Sequence, residues 1–514
     1  MPRTARAGFA LLFLFLTSFA LHGEVCSLKP HPRFSVAVDP ALGATPISGR
    51  LLVMMSTQLS RGNQLSPSYG PEAHSVWIAA KEVIGLTPQQ PAVLDPDTLA
   101  YPEPFCNAPA GAYHFKAVLD VNHNFAYNYE VTAGSLVSTI VDQPFNPTAS
   151  DVIQLTLTER KTDPPIQPPP QTKLIDFVSP ALTSFWGRDV RVTALIVLPP
   201  SYATSKERYP TAYLTHGFGG NPRSLVQRTA PNLIKMMTEK KIPEMIWVLL
   251  AEDSPTGTHE FADSVNNGPW GKALITEFIP YLEKKYRMDA KTGGRFLTGH
   301  SSGGWATLWL QVAYPDTFGG TWPTAPDPSD FRSFARVDLT RKPVPNFLYE
   351  SDGSPRMLIR MGGHEVQSLP DLALQERVMG DYGGQLASFE WVFSPRGQDG
   401  RPLPMFDRTT GAIDPLVADY WEKNYDIAAH LRNNWKALGP KINGKIHLTV
   451  GTADTVHLNE PAQLLEQTIK SLGGKADFTY MEGRSHFDLY KDNLFEQIAN
   501  QMYKVARPDK ASVH

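Results

Sequence analysis

Residues 24–160 show strand-like patterning and little helical periodicity. Short runs rich in β-branched and aromatic residues recur at 50–55, 113–119 and 152–158. Proline, glycine, asparagine and aspartate separate these runs, as is typical of short strands joined by turns. The pattern predicts an all-β, sandwich-like domain over residues 24–160.

The pattern changes after a proline-rich stretch at residues 161–172. Five of these twelve residues are proline, which predicts an extended, semi-rigid linker. Beyond the linker, strands are predicted at 190–198, 209–214, 245–250, 295–298, 445–450 and 478–481, and helices at 271–286, 302–313 and 461–472. This alternation predicts an α/β domain with a parallel, doubly wound sheet over residues 173–506.

The composition agrees with a globular protein of two domains. The 514 residues are 42% hydrophobic and 19% charged, and the formal net charge is −3. A chain of this length exceeds one ordinary domain, so two domains are expected and three are possible. The charge balance argues against a nucleic-acid partner. Two cysteines are too few for a disulfide scaffold or a four-cysteine zinc site.

The first 23 residues have the features of a secretory signal peptide. Arg3 and Arg6 precede an apolar run at 7–21 that is too short to favour a membrane span. We therefore expect a secreted or periplasmic protein with no membrane span after cleavage, and an uncleaved signal anchor is the alternative. Export would permit a disulfide between Cys26 and Cys106, with two free thiols as the alternative.

The sharpest chemical motif is Gly-His-Ser-Ser-Gly at residues 299–303, which occurs once in the chain as G-x-S-x-G. A strand is predicted before it and a helix after it. In that context the motif forms a strained turn that exposes the serine hydroxyl. It predicts Ser301 as a catalytic nucleophile in an α/β-hydrolase fold.

A serine hydroxyl needs a base to take its proton and an acid to orient that base. In α/β hydrolases both partners lie downstream of the serine, with the acid before the histidine. Asp454 and His486 each follow a predicted strand near the C-terminus, so they are predicted to complete the triad. Asp327 and Asp488 are the alternatives for the acid, and His457 is the alternative for the histidine.

The tetrahedral intermediate of acyl transfer needs two preorganised N–H donors. The backbone N–H of Ser302, next to the nucleophile, is predicted to be one of them. The other is expected in the glycine-rich turn at 216–220, where the N–H of Phe218 is the favoured donor. Glycine lets the backbone of such a turn approach the substrate closely. His216 and His300 are predicted to be structural rather than catalytic.

Several motifs together resemble the putative-esterase family of α/β hydrolases, which includes esterase D and the feruloyl, acetylxylan and enterochelin esterases. The matching segments are 215–220, 266–271, 299–305, 451–454 and 483–486. The resemblance covers about residues 180–505. It implies hydrolysis of a carboxylic ester through an acyl-enzyme, with no metal or organic cofactor. It also makes Asn266, Asn267 and Trp270 candidate substrate-binding residues, with a simple turn before a helix as the alternative.

The chain departs from the family in the spacing of two predicted triad residues. Ser301 and Asp454 lie 153 positions apart, more than a minimal version of the fold needs. The excess falls at about residues 330–440, a stretch that carries several prolines and large aromatic residues. We interpret it as a candidate lid beside the pocket, with surface elaboration as the alternative.

The predicted function is that of an exported serine carboxylesterase acting on a small-molecule or polysaccharide-linked ester. The resemblance makes feruloyl or acetyl esters of plant polysaccharide the candidate substrates. A serine peptidase of the prolyl-oligopeptidase type shares the triad order, but roughly 136 residues before the linker are too few for its propeller, since each blade needs about 40. The sequence also permits acyl transfer, or a non-catalytic surface-binding protein of the same fold.

The role of the N-terminal domain stays open between carbohydrate binding, gating of the pocket and contact with a second subunit. Its segment 120–124 has the alternating oxygen ligands of a calcium loop. Because that segment lacks the glycine and the glutamate such a loop requires, a polar hairpin is favoured.

Overall fold

The computed structural model describes Cys26 and residues 30–60 and 62–510. The predicted signal peptide, residues 1–23, lies outside the described residues. A disulfide joins Cys26 to Cys106 across a sequence separation of 80. Within the described ranges, none of the helices combines the length and the apolar character that a membrane crossing requires.

The N-terminal part of the structure is one hydrogen-bonded sheet of nine strands. The strands are β1 (Arg33–Val38), β2 (Ile47–Ser56), β3 (Trp77–Leu86), β4 (Ala92–Leu94), β5 (Ala100–Tyr101), β6 (Gly111–Asp120), β7 (Leu136–Ser138), β8 (Val141–Phe145) and β9 (Val152–Arg160). Their order is β4-β1-β9-β7-β6-β2-β3-β5, and β8 pairs with β6. The β-rich N-terminal region predicted from the sequence is therefore present.

This sheet is buried on both faces, which explains why β2 is apolar at consecutive positions. Leu51, Val53 and Met55 belong to one apolar cluster. Leu52 and Met54 point to the opposite face and belong to another. A strand covered on both faces has a continuous apolar sequence rather than an alternating one, because successive side chains point to opposite sides.

An eight-stranded sheet organises the rest of the chain. The strands and short hairpins of this part are β10 (Thr172–Val178), β11 (Arg191–Val197), β12 (Thr211–Thr215), β13 (Ile246–Leu250), β14 (Asp253–Ser254), β15 (Gly257–Thr258), β16 (Asp263–Ser264), β17 (Gly268–Pro269), β18 (Arg295–His300), β19 (Gly320–Thr324), β20 (Met357–Met361), β21 (His364–Ser368), β22 (His447–Gly451) and β23 (Asp477–Met481).

The order of the large sheet is β10-β11-β13-β12-β18-β19-β22-β23. Strand β11 is antiparallel to both of its neighbours, whereas every pair from β13 to β23 is parallel. A mostly parallel eight-stranded sheet whose second strand is antiparallel is the α/β-hydrolase arrangement. The predicted fold class is confirmed.

Helices lie between and after these strands along the chain. They are α1 (Pro180–Trp186), α2 (Pro222–Ser224), α3 (Ala230–Thr238), α4 (Trp270–Ala273), α5 (Ile279–Lys285), α6 (Ser302–Ala313), α7 (Leu369–Met379), α8 (Gln385–Phe393), α9 (Pro415–Tyr425), α10 (Ile427–Ile442), α11 (Asn459–Ser471) and α12 (Leu494–Ala506). The π turns Leu225–Thr229 and Leu274–Phe278 join α2 to α3 and α4 to α5. The second π turn lies just before Pro280, whose ring disfavours a regular α-turn there.

The helix that follows the G-x-S-x-G motif is buried around its whole circumference. Trp305 and Leu308 of α6 join one apolar cluster. Ala306 and Leu310, on the other side of the same helix, join a second cluster. The position of α6 is therefore fixed by packing on all sides, and so is the turn that precedes it.

The candidate lid, residues 330–440, is packed between the two halves of the protein. It contains β20, β21, α7, α8, α9 and most of α10. In α7, Val378 and Met379 join the apolar cluster that contains Leu52 and Met54 of the N-terminal sheet. In α8, the hydroxyl of Ser388 accepts the backbone N–H of Thr258 at 2.9 Å. The segment therefore contacts the domains of both sheets.

Candidate active site

The turn between β18 and α6 places Ser301 in an unusual conformation. Its φ of 59° and ψ of −124° lie in a region that non-glycine residues rarely adopt and that costs about 1–3 kcal/mol. The Ser301 N–H donates to the carbonyl of Thr324 at 3.1 Å, and the Ser301 carbonyl accepts the N–H of Asp327 at 3.1 Å. These two bonds, one to the last residue of β19 and one to the loop after it, hold the strained turn in place.

The glycines of the motif are explained by close backbone approach. A Cβ added at Gly299 would lie 2.2 Å from the carbonyl oxygen of Gly303. A Cβ added at Gly303 would lie 2.4 Å from the carbonyl oxygen of His216. Because both positions face backbone atoms, which cannot move aside as a flexible side chain does, only glycine fits at either of them.

Asp454 and His486 form a buried pair at the carboxyl ends of neighbouring strands. Asp454 follows β22, His486 follows β23, and the Nδ1 of His486 donates to the Oδ2 of Asp454 at 2.9 Å. Asp454 is fully buried and His486 is 6% exposed. The other carboxylate oxygen of Asp454 accepts the N–H groups of Val456 and Leu458.

The environment of Asp454 keeps it ionised. Burial acts to raise the pKa of Asp454, but the hydrogen bond and charge of His486 and the N–H donors of Leu458 and Val456 together hold that pKa below its ordinary value. An ionised carboxylate at Nδ1 keeps the proton of His486 on that nitrogen and leaves its Nε2 able to accept a proton.

His300, the residue before Ser301, packs against His486 and so links the Asp454–His486 pair to the turn that carries Ser301. The imidazole rings of His300 and His486 lie with their centroids 4.4 Å apart. Burial, with the nearby charge of His486, lowers the pKa of His300 to about 3, so its ring is neutral at ordinary pH. The Nδ1 of His300 lies 3.0 Å from the hydroxyl of Thr324, which ties the ring to β19.

The alternative acid Asp327 contacts the serine rather than the histidine. The hydroxyl of Ser301 donates to its Oδ1 at 3.3 Å, and the hydroxyl of Ser302 donates to its Oδ2 at 2.7 Å. Burial raises the pKa of Asp327 to about 6. In this arrangement the hydroxyl of Ser301 donates to Asp327.

Asp488 and His457, the two further triad candidates, have side-chain partners outside the predicted triad. Asp488 accepts the N–H and the hydroxyl of Ser485 within its own turn. The ring of His457 lies between two carboxylates, with Nε2 3.2 Å from Glu365 and Nδ1 3.6 Å from Glu460. Neither side chain pairs with Ser301, Asp454 or His486 among these contacts.

The glycine-rich turn after β12 lies directly against the nucleophile. A Cβ added at Gly217 would lie 3.1 Å from the Cβ of Ser301. The Nδ1 of His216 donates to the carbonyl of Gly217 at 2.9 Å, and its Nε2 accepts the N–H of Glu252 at 3.1 Å. Both ring nitrogens of His216 thus support the turn. In the part of the chain that the structure describes, the N–H groups of Phe218 and Ser302 donate to no protein group.

The candidate substrate-binding residues separate into two kinds. Asn267 and Trp270 line a cavity of about 380 Å³, which we call the aromatic cavity. Its wall also includes Trp186, Tyr382, Trp391 and, from the N-terminal domain, Asn122 and His123. The carbonyl of Asn267 accepts the indole N–H of Trp270 at 3.0 Å and that of Trp186 at 3.2 Å.

Asn266 has a different environment. It is fully buried, and its amide donates to the carbonyl of Ser394 at 2.8 Å. That bond ties the 266–271 loop to the candidate lid. The structure thus places Asn266 in a structural contact and brings Asn267 and Trp270 to a cavity wall.

Two buried acids near this site were not predicted from the sequence. Glu252 and Glu260 are fully buried, and burial together with the charge of Asp327 raises the pKa of each well above its ordinary value. Both lie in the polar stretch after β13, where sequence pattern alone indicates a solvated loop. The raised pKa values follow from burial in the fold rather than from any local motif.

Among the described residues, the groups with the spacing of a metal site lie in the N-terminal domain. One is formed by His31, Asp95 and Asp97, where the imidazole Nε2 lies 3.0 Å from Asp95. The other combines Asp97 with Cys26 and Cys106, whose sulfurs are joined in the disulfide. Neither group includes a residue of the candidate active site.

The family assignment follows from a match over most of the hydrolase part. The model of the family described as "Putative esterase" matches residues 187–497, more than half of the chain. The chain belongs to the putative esterase family. The match includes Ser301, Asp454 and His486, and it confirms the resemblance drawn from the motifs.

Two curated relatives of this esterase-family chain match short regions. One is an endo-1,4-beta-xylanase/feruloyl esterase of Xylanibacter ruminicola, 30% identical over 147 residues that cover 26% of this chain and 20% of that protein. The other is Esterase Rv1288 of Mycobacterium tuberculosis, 31% identical over 122 residues that cover 23% of this chain and 25% of that protein. The chain spans about a quarter or less of the length of these relatives.

Solved structures also match the esterase-family chain. A ferulic acid esterase matches with a TM-score of 0.38 and 17% identity, covering 65% of this chain and 99% of that chain. An S-formylglutathione hydrolase of Staphylococcus aureus matches with a TM-score of 0.39 and 13% identity, covering 64% of this chain and 98% of that chain. The fold is assigned from the strand order of the eight-stranded sheet.

Proposed function

We propose that the chain is an exported serine carboxylic-ester hydrolase that works through an acyl-enzyme on Ser301. The observation that carries the proposal is the buried pair of Asp454 and His486, which lies beside the strained turn that presents Ser301. A nucleophile, a base and an acid on separate turns at one end of a parallel sheet are the arrangement that acyl transfer requires.

In the first half of the reaction Ser301 becomes acylated. Its hydroxyl turns from Asp327 towards the Nε2 of His486, which takes the proton as the oxygen attacks the ester carbonyl carbon. Asp454 stabilises the imidazolium that forms. When the tetrahedral intermediate collapses, the bond to the alcohol oxygen breaks and His486 gives its proton to the departing alcohol.

In the second half water releases the acid. His486 takes a proton from the water as its oxygen attacks the acyl carbon. The bond to the serine oxygen then breaks, and the proton returns to Ser301. In both halves the negative oxygen of the intermediate accepts the N–H groups of Ser302 and Phe218, which donate to no protein group among the described residues.

Feruloyl or acetyl esters of plant polysaccharide are the substrates we propose. One relative's name joins a feruloyl esterase to a xylanase, and the family resemblance implies the same class. The aromatic cavity suits a ligand with a planar or hydrocarbon face, because indole and phenol rings form much of its wall, and its lining residues do not include Ser301, Asp454 or His486.

Export to a secreted or periplasmic location completes the proposal. The charged start and short apolar run of residues 1–23 support it. The disulfide between Cys26 and Cys106 supports it independently, since structural disulfides persist in oxidising compartments.

The test is a substrate panel run on the protein from Glu24 onward. The panel comprises p-nitrophenyl acetate, p-nitrophenyl butyrate, methyl ferulate, acetylated xylan and a peptide p-nitroanilide. We expect ester turnover that Ser301→Ala lowers at least about 10⁴-fold, because the nucleophile initiates both halves of the reaction. The relative rates on methyl ferulate and acetylated xylan then identify the acyl group.

A matched control replaces a serine beside the nucleophile. Ser302→Ala keeps the backbone N–H of the proposed oxyanion donor and removes only the hydroxyl bound to Asp327. It is expected to keep most of the ester turnover. Cleavage of the anilide would indicate a peptidase, and equal background from wild type and Ser301→Ala on every ester would contradict the proposed function.

A further inference from the structure

The turn that carries the proposed oxyanion donor Phe218 is held by the N-terminal domain. The hydroxyl of Tyr127 donates to the carbonyl of Gly220 at 2.7 Å. The side-chain amide of Asn128 approaches the carbonyl of Gly219 at 3.4 Å. Two consecutive carbonyls of the turn are therefore bound by residues about 90 positions earlier in the chain.

The ring of Tyr127 also packs on the turn. Its centroid lies 4.9 Å from that of Phe218, with the ring planes 68° apart. Gly219 has a φ of +80°, and a Cβ added there would lie 3.4 Å from the carbonyl oxygen of Tyr127. The two backbones are thus in close contact at a position where glycine is conformationally required.

Tyr127 is suited to act as a permanent donor. It is 7% exposed, and burial together with the charges of Asp253 and Glu252 raises its pKa well above the ordinary value. The hydroxyl therefore holds its proton more tightly than an ordinary tyrosine does, which suits its role as the donor to the carbonyl of Gly220.

The direction of the Phe218 N–H depends on the peptide units around it. The carbonyl of Gly217 accepts hydrogen bonds from His216 and from the N–H of Gly220, both within the hydrolase domain. The carbonyls of Gly219 and Gly220 accept hydrogen bonds from Asn128 and Tyr127 of the N-terminal domain. Oxyanion donors accelerate a reaction only when they already point to where the charge develops, and small misplacement costs up to about 100-fold in rate.

We propose that Tyr127 is a positioning residue for ester hydrolysis, whose hydroxyl and ring fix the 217–220 turn so that the Phe218 N–H faces the oxyanion. This inference rests on the proposed function. It gives the N-terminal domain a part in catalysis, because Tyr127 and Asn128 of that domain supply the side-chain donors to the carbonyls of Gly220 and Gly219.

The experiment compares Tyr127→Phe with Tyr113→Phe in the full mature chain. Each variant loses one hydroxyl and keeps its ring. The Tyr113 hydroxyl donates to the carbonyl of Pro109 at 2.8 Å, the same kind of bond in the same domain but away from the turn. The measurements are kcat and KM on p-nitrophenyl acetate, the melting temperature, and the Ki values of a trifluoromethyl ketone and of the product acid.

The ketone reports on the oxyanion, because Ser301 adds to its carbonyl and the resulting alkoxide needs the two N–H donors. In Tyr127→Phe we expect kcat to fall roughly 10-fold and the ketone to bind weaker by the same factor, a smaller loss than removal of a donor itself. KM and the Ki of the product acid should change less than about 2-fold, since neither involves an oxyanion. Tyr113→Phe should leave all four constants unchanged.

Three results would overturn the inference, and they are distinguishable. An unchanged kcat in Tyr127→Phe, with Ser301-dependent turnover in the wild type, would remove the positioning role and leave the proposed function intact. Equal losses of kcat in both tyrosine variants, in step with their melting temperatures, would show only domain stability. A wild type with no Ser301-dependent turnover would remove the proposed function and this role with it.

Discussion

Asp454 and Asp327 are both buried near Ser301, and they differ in their hydrogen-bond partners. Asp454 binds His486 and two backbone N–H groups, and its pKa is held below the ordinary value. Asp327 binds two serine hydroxyls, which stabilise a carboxylate less than a charged partner does, and burial raises its pKa to about 6. Of the two, Asp454 is the acid equipped to stabilise an imidazolium.

A third buried acid, Glu376, is expected to make the stability of the folded protein depend on pH. Burial raises its pKa from 4.5 to about 7, against the lowering influence of Arg408 and of the N–H groups at the start of α8. Because the folded state binds this proton more tightly, its contribution to stability is complete below pH 4.5 and is lost as the pH rises to 7.

We expect Glu376→Gln to make the free energy of unfolding less dependent on pH between 4.5 and 7, by up to about 3 kcal/mol over that range. Urea unfolding of wild type and variant at pH 4.5, 6 and 7.5 measures the difference. Glu239→Gln, at an exposed position, is the control and should follow the wild type. Parallel pH curves for Glu376→Gln and wild type would contradict the prediction.

At the residue scale, predictability depends on how local the signal is. Ser301, Asp454 and His486 could be proposed because each follows a strand with a recognisable motif. Tyr127 and Glu260 could not, because their importance comes from contacts with chain segments distant in sequence and from complete burial. No spacing rule encodes such contacts.

The elements around the site depend on glycines that admit neighbouring backbone. Gly303→Ala would place a Cβ 2.4 Å from the carbonyl of His216 and 2.5 Å from the hydroxyl oxygen of Thr215. We expect it to lower the free energy of unfolding by at least about 2 kcal/mol and to reduce ester turnover, since α6 must shift and Ser301 with it.

Gly293→Ala is the matched control, because a Cβ there meets no atom within 4 Å. It should change the free energy of unfolding by less than about 0.5 kcal/mol. Chemical denaturation and turnover of p-nitrophenyl acetate by both variants provide the comparison. A Gly303→Ala protein as stable and active as Gly293→Ala would show that the elbow does not need this close contact.

Among the elements, the central strands β12, β13 and β18 are predicted from the sequence, whereas β19 and β10 are not. β12, β13 and β18 lie where the sequence placed them, within two residues. β19 was missed because its five residues include proline and glycine, and only its place between β18 and β22 makes it a strand. β10 was missed because it is a half-exposed edge strand directly after the proline-rich stretch.

At the scale of the whole molecule, the candidate lid joins the two domains into one packed body. Arg50 of β2 is 6% exposed, and its guanidinium donates to the carbonyls of Val378 at 2.8 Å and Arg377 at 2.9 Å. We expect a single calorimetric unfolding transition for the mature protein, because neither domain can unfold without exposing the shared cluster.

Arg50→Met should lower the temperature of that single transition, since it leaves the buried carbonyl of Val378 without its guanidinium donor, at about 1–3 kcal/mol, and also removes the bond to the carbonyl of Arg377. Arg33→Met, at an exposed position of β1, should leave it unchanged. Two resolved transitions in the wild type would show that the domains are independent and would contradict this description. The sequence could not predict such cooperation, because Arg50 and α7 are separated by more than 300 residues.

The central claim, that Ser301 is the nucleophile served by His486 and Asp454, is tested most directly by covalent labelling. The mature protein is incubated with a fluorophosphonate ester, digested and mapped by mass spectrometry. We expect one phosphonyl group, on the peptide that contains Ser301, and a labelling rate that falls at least about 100-fold in His486→Ala. Labelling at another serine, or none at Ser301 in a folded protein, would contradict it.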